Sequence, residues 1–168
     1  VNSGSTAYLH TSPEFAMKKL LVGGLEKIFQ ICPVFRDEST SPHHHPEFTM
    51  LEWYRAHSSY ERIMEDVENM VSTAAIEIHS KPVTRFNGIE INLAPPWPRL
   101  KIRDLYQKHF NIDLATATDT DLRVTCKTNG IVVSDSDQWD DLFFKLWLNE
   151  IESKLPTDQA VFIVDYPP

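Results

Sequence analysis

The chain has 168 residues, 42% of them hydrophobic, with a formal net charge of −8 and two cysteines. That length and apolar fraction suit one globular domain with a real core and exclude a disordered chain. The negative balance argues against a broad nucleic-acid-binding face, and no apolar run reaches the roughly 18–20 residues that a membrane helix needs.

The elements follow in chain order. "TAYLH" (6–10) reads as a short strand. "TSPEFAMKKLLVGG" reads as a helix with Ser12 as N-cap and Pro13 at its first position. Phe15 or Ala16, Met17, Leu20 and Leu21 form its apolar face, and Gly23-Gly24 ends it. "KIFQICPVFRDE" is dense in strand formers, "STSPHHHP" is a loop, and "EFTMLEWYRAH" is the next strand, so an antiparallel pair is expected. Alternation puts Glu52 and Tyr54 on one face and Leu51 and Trp53 on the other.

A helix is expected from Ser58, with Glu61 at capping-box spacing and a stripe of Ile63, Val67, Met70, Val71 and Ala74. "FNGIEINLAPPWPRL" reads as a hairpin turned at Asn87-Gly88. "KIRDLYQKHF" and "TDTDLRVTCKTNG" read as helices, the latter starting near Thr118 or Asp119. "DSDQWDDLFFKLWLNEIESKL" reads as one long helix whose core stripe is Trp139, Leu142, Phe143, Leu146, Trp147, Ile151 and Leu155. "AVFIVDYPP" reads as a buried strand. Cys32 and Cys126 are too few for a disulfide framework and read as buried free thiols of a cytoplasmic protein. No secretory leader is visible, and a first residue of Val1 suits a fragment or a processed product.

The chemistry concentrates between Cys32 and Arg55. His43, His44 and His45 are neighbours, and neighbouring side chains diverge where one tetrahedral ion needs convergence, so no metal site is expected. Arg36 ends an apolar strand, where a guanidinium can grip a phosphate, and Glu38 shares its face while the strand lasts. Phe48 offers a plane to a flat base. These residues fit either a nucleotide pocket or a surface Arg–Glu pair beside a core Phe.

"FRDE…HHHPEFTMLEWY" resembles motif 2 of the class II aminoacyl-tRNA synthetases, in their lysine branch. "YLHTSPEFAMKKLLVGG", "IFQICPVFRDE" and "LEWYR" are similar within that branch to the elongation factor P–lysine ligases, which lack an anticodon-binding domain. "FIVDYPP" is similar to a strand of the same family. The resemblance implies an α+β fold, an antiparallel sheet flanked by helices, with motif 2 at about residues 28–55 of a partial domain spanning 1–168. Motif 1 would lie before Val1, and motif 3, with its ATP-binding Arg, beyond Pro168. Arg36 would be catalytic at the α-phosphate of ATP, with Asp37, Glu38, His45 and Phe48 around the nucleotide and magnesium on its phosphates. Ser12, Pro13, Glu14 and Tyr54 match positions that contact the amino acid, lysine or β-lysine. The family loop carries an Arg where Pro42 and His43 stand, an Asn where His45 stands, and commonly an Asn in place of Asp37.

The first expectation is adenylation of lysine or β-lysine and transfer to elongation factor P, by a piece of a longer enzyme. The alternatives are a fragment of a lysyl-tRNA synthetase that charges tRNA, or a non-catalytic module that binds a nucleotide or a protein. Incomplete sheet edges would favour a homo-oligomer.

Overall fold

A computed structural model describes residues 6–39, 41 and 44–167. Pro42 and His43, the loop departures noted above, lie outside the described residues. The chain divides into two compact units, residues 1–63 and 64–168. The class is α+β, but among the described residues the six strands form three separate two-stranded sheets, and one of these is parallel.

The first unit is built on a ribbon. Strand β1 (Lys27–Phe35) pairs antiparallel with β2 (Glu47–Arg55), in a register that sets Ile28 opposite Tyr54, Gln30 opposite Glu52 and Val34 opposite Phe48. Helix α1 (Glu14–Val22) precedes it and ends at Gly23. Pro13 is the N-cap of α1, not its first helical residue, and Ser12 sits one position earlier. The inward face of α1 is Pro13, Met17 and Leu21, at a spacing of four, whereas Phe15 is 82% exposed.

The strand expected over 6–10 does not form. Its neighbour explains why. The amide of Phe35 donates to the His10 carbonyl at 3.0 Å, but Pro33, two residues earlier on the same edge, has no N–H to continue a ladder. The Pro33 carbonyl is met by His10 Nε2 at 2.8 Å instead.

In the second unit, α2 (Tyr60–His79, begun in the first) buries Met64, Glu68, Ser72 and Ala75. The expected stripe is therefore turned by one residue: Ala74 is exposed and Met70 is 41% exposed. The turn brings the Glu68 carboxylate inward, where Oε1 accepts the Trp97 amide at 2.7 Å and the Arg99 guanidinium. The helix starts after Ser59, not Ser58, and Glu61 is held below the usual carboxylate range by the Ser59 hydroxyl.

The hairpin of β3 (Val83–Phe86) and β4 (Ile89–Asn92) turns at Asn87 and Gly88 as expected, with φ of 48° and 82°. Two positive φ angles in a two-residue loop match the right-handed twist of the strands. The short β5 (Arg99–Lys101), which periodicity did not reveal, pairs parallel with β6 (Phe162–Val164). Strand β6 is accordingly three residues long and only partly buried.

Helices α3 (Ile102–Phe110), α4 (Asp119–Thr128) and α5 (Trp139–Leu146) close the core around Ile102, Tyr106, Leu122, Cys126, Leu142 and Phe143. Thr118 and Asp121 cap α4 reciprocally, as do Gln138 and Asp141 for α5. The long final helix is interrupted: a π-helical turn (Trp147–Ile151) and a 3₁₀ turn (Glu152–Lys154) replace its second half. The stripe still holds, since Trp147 and Ile151 are buried and Leu155 packs against the core. Cys126 is a buried thiol and Cys32 a half-buried one. Among the described residues, no helix is long and apolar enough to cross a membrane.

Candidate functional site

Alternation along β2 places Phe48, Met50, Glu52 and Tyr54 on one face, opposite Val34, Cys32, Gln30 and Ile28 of β1. The other face carries Phe29, Ile31 and Leu51, which are 73%, 62% and 37% exposed. The face that holds the carboxylate and the phenol is thus the more sheltered one.

At one end of this face, the Arg36 guanidinium carbon lies 5.4 Å from the centroid of the Phe48 ring. Strand pairing extends just past β1, because the Arg36 amide donates to the Pro46 carbonyl at 2.8 Å. Arg36 Nε also donates to the Thr11 carbonyl at 3.4 Å. The cation and the aromatic plane expected for a phosphate and a base are therefore adjacent. Glu38 is not placed by strand alternation: β1 ends at Phe35, and the Glu38 amide turns back to the Arg36 carbonyl at 2.9 Å. Asp37, Glu38 and His45 are exposed. Ser41 and His44 pair through two backbone hydrogen bonds, and the Ser41 hydroxyl meets His44 Nδ1 at 2.9 Å.

Four residues along β2, roughly 13 Å at strand rise, lies a second group. The Ser12 hydroxyl donates to Glu52 Oε2 at 2.5 Å and accepts the Glu14 amide at 3.0 Å. The Tyr54 hydroxyl donates to Glu52 Oε1 at 2.8 Å. Burial, the hydrogen bond to Glu52 and the charges of Glu52 and Glu14 push the Tyr54 phenol up to about 12. It stays a proton donor through the physiological range. The Glu14 carboxylate pairs with Lys18 at 2.5 Å, one turn along α1.

Ser12, Glu14 and Tyr54 are thus brought together, with Pro13 buried between the first two. The carboxylate they surround, Glu52, is a residue that alternation along the strand puts on the face of the expected pocket, but it is not among the residues expected to contact the amino acid. Its period-two relation to Tyr54 was the available signal.

Chemically, the face offers a cation beside a ring at one end and an oriented carboxylate with a second acid at the other. The first suits a phosphate and a base, and the second an ammonium group. Among the described residues, no cluster of three or more His, Cys, Asp or Glu could hold a metal ion.

A family model described as tRNA synthetases class II (D, K and N) matches residues 1–168. A lysine–tRNA ligase of Pelotomaculum thermopropionicum is 38% identical over 163 residues, which is 95% of this chain and 32% of that protein. Lysine–tRNA ligases of Oceanobacillus iheyensis and Moorella thermoacetica are each 35% identical over 161 residues, again 95% of this chain and 32% of theirs.

Proposed function

The chain belongs to the tRNA synthetases class II (D, K and N), and from that premise we propose that it is the motif 2 portion of a longer enzyme that activates lysine with ATP and charges tRNA. The carrying observation is the placement, on one face of one ribbon, of Arg36 on Phe48 and of Glu52 between Ser12 and Tyr54.

Adenine stacks on Phe48, and Arg36 holds the α-phosphate. The lysine carboxylate attacks the α-phosphorus, pyrophosphate leaves, and the guanidinium stabilises the charge that builds on the phosphoryl oxygens. Asp37, Glu38 and His45 complete the nucleotide side. Glu14, Glu52 and Tyr54 take the ammonium groups of the substrate, with Ser12 and Pro13 shaping that end. The protonated Tyr54 offers its oxygen lone pair to an ammonium while its O–H donates to Glu52. Magnesium neutralises phosphate charge when the nucleotide is bound. A tRNA hydroxyl then attacks the carbonyl carbon of the lysyl adenylate, the lysyl ester forms, and AMP leaves.

The relatives carry the name lysine–tRNA ligase, which favours tRNA over elongation factor P as acceptor and lysine over β-lysine. Lysine-dependent pyrophosphate exchange by the intact protein, followed by transfer assays on tRNA and on elongation factor P, tests the proposal. Exchange and tRNA charging are expected. Absence of lysine-dependent exchange overturns the activation step, and transfer to elongation factor P alone overturns the acceptor.

A further inference from the structure

Ser12 has one hydroxyl proton, and it donates this to Glu52 Oε2, with 2.5 Å between the two oxygens. One lone pair of the same oxygen accepts the Glu14 amide at 3.0 Å. Ser12 therefore ties the start of α1 to the middle of β2, across 40 residues of chain. The Tyr54 hydroxyl takes the other Glu52 oxygen at 2.8 Å. Both donors are neutral hydroxyls, so they orient the carboxylate without cancelling its charge. A carboxylate has about four lone-pair sites, and two hydrogen bonds leave the others free to meet a cation. An anion held in one rotamer before the ligand arrives binds it more tightly, because less ordering remains to be done.

We propose that Ser12 is a positioning residue that acts on the substrate ammonium through Glu52 and not by touching the substrate. The inference rests on the lysine-activation reading above and deepens it. It also separates Ser12 from Glu14 and Tyr54, with which family resemblance groups it as a substrate contact.

The test uses the intact protein and its Ser12→Ala, Ser12→Thr and Glu52→Gln variants. Lysine affinity is read by calorimetry, and KM and kcat by pyrophosphate exchange at varied lysine and varied ATP. Ser12→Ala is expected to raise the lysine Kd and KM roughly 10-fold, the worth of one hydrogen bond to a charged group, with kcat and the ATP KM changed less than about twofold. Ser12→Thr, which keeps the hydroxyl, restores most of the loss. Glu52→Gln loses more than Ser12→Ala.

Unchanged lysine affinity in Ser12→Ala, alongside a loss in Glu52→Gln, overturns the positioning role and leaves lysine activation standing. Equal impairment of the Ala and Thr variants, or parallel weakening of lysine and ATP, assigns Ser12 a purely structural part and also overturns it. A parent protein that neither binds lysine nor catalyses exchange removes the activation reading, and the proposal with it.

Discussion

The two units of this chain hold their shape by different means. In the second, Ile102, Tyr106, Leu122, Cys126, Leu142, Leu146 and Ile151 are fully buried, and the Tyr106 ring stacks on Phe143 at 5.0 Å. In the first, Met17 and Val34 are buried, while Phe15, Phe29 and Ile31 stand largely in solvent. What orders the first unit around its candidate site is a set of directional bonds: His10 to Pro33, Ser12 to Glu52, Tyr54 to Glu52 and the Arg36 amide to Pro46. Hydrophobic burial is non-directional and supplies stability, whereas hydrogen bonds between oriented groups set atomic position. The unit that holds the candidate site is the one placed by bonds.

Substitutions in the two units test that contrast. The largest effect is expected from Arg36→Ala, which should cut lysine-dependent pyrophosphate exchange by the intact protein about 100- to 1,000-fold, the cost of one charge-stabilising group, without shifting the melting temperature. An unchanged rate would remove Arg36 from the reaction, and an unfolded product would show the ribbon to depend on that side chain for its packing.

Leu142→Ala, in the second unit, should destabilise by about 3 kcal/mol in denaturant titration, because a fully buried leucine leaves a cavity. A loss below about 1 kcal/mol would mean that this core relaxes freely, contrary to its close packing.

Glu68→Gln comes next, at about 2 kcal/mol near neutral pH, for the loss of charge on a buried carboxylate that serves Arg99 and the Trp97 amide. The hydrogen bond from Arg99 holds the Glu68 carboxyl below its ordinary value of 4.5, despite burial. A depressed carboxylate stabilises the fold fully above the unfolded value, and that stability is lost as pH falls through the folded one. Parent and variant should therefore differ most at neutral pH and converge in acid. A gap that widened on acidification would contradict the ion pair.

The smallest effect is expected in the first unit. Phe29→Ser, at a side chain 73% exposed, should change the stability of the 168-residue chain by no more than about 0.5 kcal/mol. A cost of several kcal/mol would show this face of the ribbon to be covered.

Legibility in the sequence follows the same line. The ribbon was readable because β-branched and aromatic residues cluster in 27–35 and 47–55, and alternation then sorted Glu52 and Tyr54 from Leu51. The Asn87-Gly88 turn and the Thr118 cap were readable because each is decided within four residues. The stripe of α2 is legible only to within one position, because a count of apolar residues has no place for a glutamate that faces inward to meet Arg99, 31 residues on. The pairing of β5 with β6 is not legible in the sequence because three residues per strand carry too little periodicity. The absent strand at 6–10 turned on Pro33, a missing donor on the partner and not a property of the segment itself.

Sequence alone is enough for the two strands of the ribbon and their sidedness, the Asn87-Gly88 turn, the Thr118 cap, and the residue types that could grip a nucleotide and a cation. Each of these rests on contacts between residues a few positions apart, where backbone propensity and spacing decide the outcome. Tertiary contacts set Arg36 on Phe48, take Glu38 off the strand face, and bring Ser12 to one oxygen of Glu52 and Tyr54 to the other. The Arg36–Phe48 and Ser12–Glu52 contacts close loops of many residues, and the chain entropy that such closure costs is offset only when the surrounding elements have already docked.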